Sequence, residues 1–506
     1  MLDVLRIRTI RQRRQLTWRS LLTQSSWWTL STFFLPFILY LLTLAPTIYN
    51  LDSAELTTAV ATDGIVRATG YPLYLILGKL FFWLPLGDVG YRLNLFSAVC
   101  GALTIFLADR ILQRLAVGRW ARLGALGLLA TAPYFWAMSV VAEVYTLHTA
   151  LMAGVVLLLL RWDESPAPWR LIGVALLLGL SSGNHAATVL LVPGCVWFVA
   201  TRSRRHWLQP HILAAVAAAA IIGLAIYLLI PWRYGQSPIF NYAGQYDATG
   251  AFVPVNLQTW QGFWWLVSGK AFAGQMFGYR PAELGPEIGY FGAQLWLAFF
   301  AIGIGPGLYG MVVLLRHQRR VGVMLLLMFL VNAIFYINYH VVDKVSMYLP
   351  VYLVWALWLG VGYEKILSQI RETTASRRWV WLPRLVMVGA VLLALAWNWS
   401  RVDRSDDWST REQSEAILQL AQPDALIFGW WDTVPAIQYL QLVEGRRPDV
   451  TAINRFLISG PDMNRLIMSE LGRRPIYIDN PSIDLLRQAK ATNVGSLYSL
   501  EPRDVR

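Results

Sequence analysis

Long apolar runs alternate with short polar turns from residue 27 to residue 397, and most approach the roughly 20 residues an α-helix needs to cross a hydrocarbon core. Eleven runs are read as spans: 27–47, 93–112, 123–141, 146–160, 171–182, 186–199, 212–230, 290–315, 321–339, 348–366 and 379–397. The pair 171–182 and 186–199 is broken at Gly183-Asn184-His185. A further apolar stretch, YPLYLILGKLFFWLPLG, is short, carries Lys79 and has Gly or Pro near both ends. It is expected to lie in the interface rather than to cross. Beyond residue 397 the pattern changes. DALIFGWW and RRPIYIDN read as short buried strands, and REQSEAILQLAQ and TVPAIQYLQLVEG as helices, which together predict a small α/β domain.

Composition agrees with this pattern: 56% of residues are hydrophobic and 14% charged, against about 25% charged in soluble domains. A net charge of +13 would point to nucleic acid in a soluble protein. Here Arg and Lys gather in short loops between apolar runs, so no nucleic acid is expected, and the charge sets orientation instead. Arg6, Arg8, Arg11, Arg13, Arg14 and Arg19 precede the first run, which lacks a small-residue cleavage site and is read as an uncleaved span. The predicted organisation is a cytoplasmic basic segment (1–26), a transmembrane unit (27–397) with a long first outer loop (48–90), and an extracytoplasmic α/β domain (398–506). The setting is a cell (inner) membrane, with the N-terminus inside and the C-terminus outside. Cys100 and Cys195 read as small core residues. Asn398-Trp399-Ser400 matches an N-glycosylation acceptor, a weak motif beside a span end.

This topology collects the polar exceptions on one side. Asp52, Glu55, Asp63 and Arg67 fall in the first outer loop, Glu143 and Tyr145 at the next turn, Asn184 and His185 at the third, Arg233 and Tyr234 at the fourth, and His340, Asp343 and Lys344 at the fifth. Ionisable groups at membrane depth are expensive, and their convergence marks a substrate path. Each has a structural reading as well. Asp52 followed by Glu55 has capping-box spacing, Arg233 can snorkel, His185 can be a satisfied core histidine, and Glu143 and Lys344 can form ion pairs. The sequence has no nucleophile elbow, phosphate loop or C-x-x-C, and its histidines lack metal-site spacing. No metal ligand is assigned, although carboxylates with water could hold a divalent cation. The chemistry left is a carboxylate that deprotonates an acceptor hydroxyl and cations that neutralise a phosphate leaving group, as in glycosyl transfer from a lipid-phosphate sugar.

The stretches LDSAEL, GYPLYLILGKLF, YRLNLFSA, AEVYTLHTAL, GNHAATVLLVPG, YLLIPWR, WQGFWWLVSGKAF and DKVSMYLPVYL occur in the order found in a bacterial membrane-protein family. The chain resembles that family, which is related to eukaryotic protein O-mannosyltransferases within the C-type glycosyltransferase superfamily. The resemblance runs from about residue 30 to 365, and weakly through EGRRPDVTAIN. It implies an α-helical polytopic C-type glycosyltransferase-like fold and a polyprenyl-phosphate sugar donor, with transfer at the outer face to an acceptor such as a secreted or membrane protein. On this resemblance Asp52 is the expected general base, with Glu55 positioning it or the acceptor. Arg233 is the candidate for the donor phosphate, and Glu143, Tyr145, His185, Asp343 and Lys344 line the site. Where many relatives read His-Pro-Pro-Gly, this chain has Arg67-Ala68-Thr69-Gly70, which makes Arg67 a second candidate for the phosphate. The alternatives are a transferase acting on lipid or polysaccharide and a lipid-linked sugar transporter. A transporter would show internal repeats, and the sequence has none of fixed period.

Overall fold

A computed structural model describes residues 26–50, 52–202, 209–373 and 381–503. The basic segment before residue 26, Arg204 and Arg205, and Arg377 and Arg378 lie outside the described residues. Apolar helices dominate as far as Val402. Among the described residues, six are long and apolar enough to cross a membrane, or seven if one bent pair counts as a span.

The difference from eleven expected runs has local causes. The run 123–141 is split into helices Arg119–Ala130 and Pro133–Ala137, because Ala132 precedes a proline and takes extended geometry. The run 290–315 becomes Leu284–Phe299 and Ile304–His317, bent by 97° at Phe300, which has φ +44°. The first helix, Ser26–Leu42, and the pair Pro168–Ser182 and Val192–Ala200 are shorter than a full crossing. Conversely, the run 212–230 continues past Pro231 to Gly235, so Arg233 sits in a last helical turn rather than in the loop after it. The interfacial stretch is an 11-residue helix, Pro72–Phe82, whose Leu80 and Trp83 are exposed.

Close backbone contact holds the helices together where burial of apolar area supplies little drive in lipid. Leu349–Thr373 is buried along most of its length and packs against Ile304–His317. A Cβ on Gly310 would stand 1.8 Å from the Trp358 carbonyl oxygen, and one on Gly362 1.9 Å from that of Pro306. Only glycine permits this approach. Cys100 and Cys195 are buried free thiols, as read. Asn398 is buried and donates Nδ2–H to the Thr131 carbonyl at 2.9 Å, so its sequon is closed to modification in this fold.

The C-terminal region is the expected α/β unit. Two short strands precede it, β1 (Gly244–Tyr246) and β2 (Phe252–Pro254), which form an antiparallel hairpin. Its own strands are β3 (Leu426–Gly429), β4 (Thr451–Asn454), β5 (Ile476–Ile478), β6 (Ala489–Val494) and β7 (Leu497–Pro502), in the order β4-β3-β5-β7-β6. The first three are parallel, while β7 runs antiparallel to both β5 and β6. The chain leaves β3 to one side and returns on the other, so β3 is a topological switch point. In open α/β sheets ligand groups gather at the carboxyl ends of strands around such a point.

This unit docks on the first loop. Helix Val434–Leu442 packs along helix Asp52–Thr62, with Ile48 and Ala54 buried among Ile437 and Leu440. Arg411 adds ion pairs to Asp88 at 3.2 Å and to Glu444 at 2.7 Å.

Candidate functional site

Helix Asp52–Thr62 begins at the carboxylate it presents, and nine of its residues are buried. Residues three apart share a helical face, so Asp52 and Glu55 both aim at the loop that follows the helix. Asp52 Oδ1 accepts from the Arg67 guanidinium in a short ion pair. Its Oδ2 has no hydrogen-bond partner among the described residues. Glu55 accepts the Arg67 backbone N–H at 2.8 Å, and its second oxygen is 3.8 Å from Arg67 Nε. Its carboxylate therefore serves Arg67 rather than closing a capping box on its own helix.

Two aromatic faces bracket the Arg67 guanidinium, Trp431 at 4.3 Å and Phe272 at 5.8 Å. Trp431 follows β3 at the switch point, and its indole N–H is buried without a partner among the described residues. Phe456, just beyond β4, meets Trp431 edge-to-face at 5.2 Å and stacks on Phe272 at 6.0 Å. The carboxyl ends of β3 and β4 thus form an aromatic roof over the arginine.

The other walls come from span ends. Glu143 directly precedes helix Val144–Glu164, and its Oε2 is buried with no partner among the described residues. His185 sits at the break between Pro168–Ser182 and the next helical turn, where Nδ1 accepts the Ala187 N–H at 3.2 Å. Its ring lies 5.7 Å from Tyr145, 6.2 Å from Tyr71 and 5.2 Å from His148. Asp343 lies in the loop before helix Leu349–Thr373.

These groups titrate as one electrostatic unit. Burial raises Glu55 to about 8, with the Arg67 charge opposing and Asp52 reinforcing the rise. Burial also lifts Glu143 well above the carboxylate range, assisted by Asp52 and Asp343 and opposed by Arg67. Asp343 is raised by burial and by Asp52, again against Arg67. His185 is lowered to about 4 by burial, with Asp52 acting in the opposite sense. At neutral pH the histidine is therefore neutral, and Nε2 carries its proton because Nδ1 accepts a hydrogen bond. Asp52, Glu55, Glu143 and the solvent-facing Asp343 all interact electrostatically with Arg67, and the buried Glu55 and Glu143 keep their protons at neutral pH.

Seven of the nine residues singled out from sequence thus converge: Asp52, Glu55, Arg67, Glu143, Tyr145, His185 and Asp343. The other two have turned elsewhere. Arg233 is buried and donates to the Gly64 carbonyl and to Asp63 Oδ1, both at 3.2 Å. Asp63 follows the last turn of the helix that Asp52 opens, roughly 16 Å away along the axis at ~1.5 Å per residue. Lys344 is buried in an ion pair with Glu287 and donates to the Tyr279 hydroxyl at 3.1 Å. Among the described residues, no three His, Cys, Asp or Glu side chains converge as metal ligands. Sequence reasoning missed Trp431, Phe272, Tyr71 and His148. For Trp431 a signal existed, since paired tryptophans directly follow a buried strand at a carboxyl end.

Residues 52–208 match the model of the protein O-mannosyl-transferase TMEM260 N-terminal domain. The chain is 21% identical to protein O-mannosyl-transferase tmem260 of Dictyostelium discoideum over 83% of its own length and 56% of that protein's. It is 28% identical to TMEM260 of Mus musculus over 38% of its length and 28% of that protein's. It therefore spans about half or less of the length of these relatives. Among solved structures, ArnT from Cupriavidus metallidurans bound to undecaprenyl phosphate superposes with a TM-score of 0.59 at 12% identity, covering 94% of this chain and 98% of ArnT. The same protein in the apo state gives 0.54 at 13% identity, covering 94% and 97%. The chain is a multi-pass membrane protein with the ArnT fold and is related to the TMEM260 protein O-mannosyl-transferases.

Proposed function

We propose that this chain is a glycosyltransferase that moves a sugar, mannose in the simplest case, from a polyprenyl phosphate to a serine or threonine of a protein. The reaction takes place on the non-cytoplasmic face of the cell membrane. The transmembrane unit (27–397) carries the donor site, and the region from residue 398 stands outside as its roof. The reading is carried by one observation, the ion pair between the buried Asp52 and the half-buried Arg67 in the first loop.

Asp52 Oδ2 takes the proton of the acceptor hydroxyl as that oxygen attacks the anomeric carbon, and the bond from that carbon to the phosphate oxygen breaks. Arg67 faces the departing phosphate with a planar fork suited to two of its oxygens. Attack opposite the leaving group inverts the anomeric configuration. Glu55 holds Arg67 through its backbone N–H, while Glu143, Tyr145, His185 and Asp343 shape the chamber. Arg233 and Lys344, engaged with Asp63 and Glu287, fix the walls that the donor would pass. The relatives' names and the undecaprenyl phosphate held by ArnT support donor and acceptor class.

The test uses purified protein in lipid with radiolabelled polyprenyl-phosphate mannose and a pool of secreted-protein peptides, wild type beside Asp52→Asn. Label on peptides from wild type alone is the expected result. Equal labelling by the variant would remove Asp52 from the mechanism.

A further inference from the structure

A cleft of about 380 Å³ opens beside the aromatic roof, between the loop after helix Leu229–Gly235, the β1–β2 hairpin and helix Val434–Leu442. Its volume lies in the ~300–1,000 Å³ range of ligand sites. Tyr234, Tyr246 and Phe252 form its aromatic sides, Pro238 and Pro254 its edges, and Asn241 and Gln438 its amides. Tyr246 and Phe252 are cross-strand partners with rings 5.1 Å apart. Asn241 Oδ1 accepts the Ala243 N–H at 2.8 Å, and its own amide N–H groups have no partner among the described residues.

The cleft is joined to the candidate site by two short paths. The Ile65 N–H donates to the Phe240 carbonyl and the Tyr242 N–H to the Ile65 carbonyl, each at 2.9 Å, two residues before Arg67. Tyr242, also a lining residue, hydrogen-bonds Gln438 and sets its ring 5.2 Å from Trp431, which covers Arg67. A ligand in the cleft therefore shares a wall with the roof.

We propose that this cleft binds an extended, proline-containing segment of the acceptor polypeptide, flanking the serine or threonine that reacts; this rests on the function proposed above. An aromatic-lined cleft with prolines among its lining residues accepts a polyproline II backbone, which is already extended and loses little entropy on docking. Such a backbone has no internal hydrogen bonds, so its carbonyls need donors, and the Tyr234 hydroxyl and the Asn241 amide supply them. A sugar ring would use the aromatic faces but leave the proline edges unexplained. A polyprenyl chain would leave the Asn241 amide N–H unpaired. Serine- and threonine-rich segments with proline are a common composition of O-glycosylated stalks.

The experiment uses full-length protein in nanodiscs and two fluorescent peptides with the same Ser/Thr centre, one flanked by proline and one with glycine at those positions. Binding is read by anisotropy, apart from transfer. Tyr234→Ala removes one wall and Leu442→Trp fills the cleft from the other side, while Asp52→Asn is the control for the reaction centre. The proline-flanked peptide is expected to bind about tenfold more weakly to both cleft variants, the scale of one lost aromatic contact. Its affinity for Asp52→Asn should be unchanged, and the glycine peptide should bind weakly throughout. In transfer assays the cleft variants should raise KM for the proline peptide and leave kcat near wild type. Affinity unchanged in both cleft variants, or displacement by oligosaccharide or polyprenyl phosphate in place of peptide, overturns the proposal. Cleft-dependent peptide binding with no transfer by wild type upholds the cleft and removes the glycosyltransferase reading instead.

Discussion

The Trp431 indole lies 4.3 Å from the Arg67 guanidinium and ties the C-terminal sheet to the first loop. A desolvated cation–π contact is worth about 0.5–2 kcal/mol, or roughly 2- to 30-fold in binding. Trp431→Ala should raise the donor KM by a factor in that range, and Trp431→Phe should recover part of the loss. Donor titrations in steady state read this, and a donor KM equal to wild type in Trp431→Ala would dissociate the roof from the arginine.

Asp52→Asn should keep the fold and lose about 10²- to 10⁴-fold in kcat, the usual contribution of a positioned base. Arg67→Lys tests the partner. It retains the charge but gives up the planar fork and the stacking on Trp431 and Phe272, so donor affinity should drop even though the net charge is the same. Monodispersity by size exclusion separates both effects from misfolding.

Glu55 predicts a pH dependence with a definite sign. Its folded value, about 8, exceeds its ordinary value of 4.5. Its stabilising contribution is therefore complete below about pH 4.5 and fades as pH rises to about 8. In catalysis, ionisation near pH 8 adds a negative charge beside the donor phosphate, so kcat/KM should fall above that pH. Glu55→Gln mimics the protonated form and keeps an oxygen for the Arg67 N–H. It should be active and lack this alkaline limb, while a limb identical to wild type would assign it to another group.

Lys344 and Glu287 test whether a buried charge lines the site or holds a wall. Glu287→Gln leaves Lys344 buried without its countercharge, which should cost about 3–5 kcal/mol if relaxation is small. The double variant Glu287→Leu/Lys344→Met should recover most of that. Thermal unfolding in detergent measures both. Activity retained in the double variant would make the pair structural, whereas activity lost with stability restored would return Lys344 to the chemistry.

Gly310→Ala should destabilise the bundle by about 1–3 kcal/mol or more through overpacking, since its Cβ would meet a backbone carbonyl that cannot rotate away. Gly305→Ala, one turn earlier in the same helix and facing open space, is the matched control and should be near neutral.

The sequence exposed the elements whose signal is local. Spans show as apolar runs, and Asp52, Glu55, Arg67, Glu143, His185 and Asp343 stood out because ionisable groups at span ends are costly. Partner choice was less visible. Arg233 and Lys344 were legible as cations but not as partners of Asp63 and Glu287, since that depends on how spans pack. The bend at Phe300 is silent because apolar composition continues through it. The β1–β2 hairpin and Trp431 gain their roles only once the C-terminal sheet docks on a loop far away in sequence. The polar strands β6 and β7 carry too little alternation of buried positions to read as sheet.

The roof described above also fixes an order in time. Asp52 and Arg67 leave the ribosome early, whereas Trp431 and Phe456 follow only after the last long helix, Leu382–Val402, has been made. At roughly 5–20 residues per second, tens of seconds separate the two events. During that interval the nascent chain holds its ion pair uncovered in the membrane, with neither roof nor cleft. Competence for transfer would then arrive only once the roof has been made, and chains arrested before it would stay inert toward proteins crossing the membrane beside them.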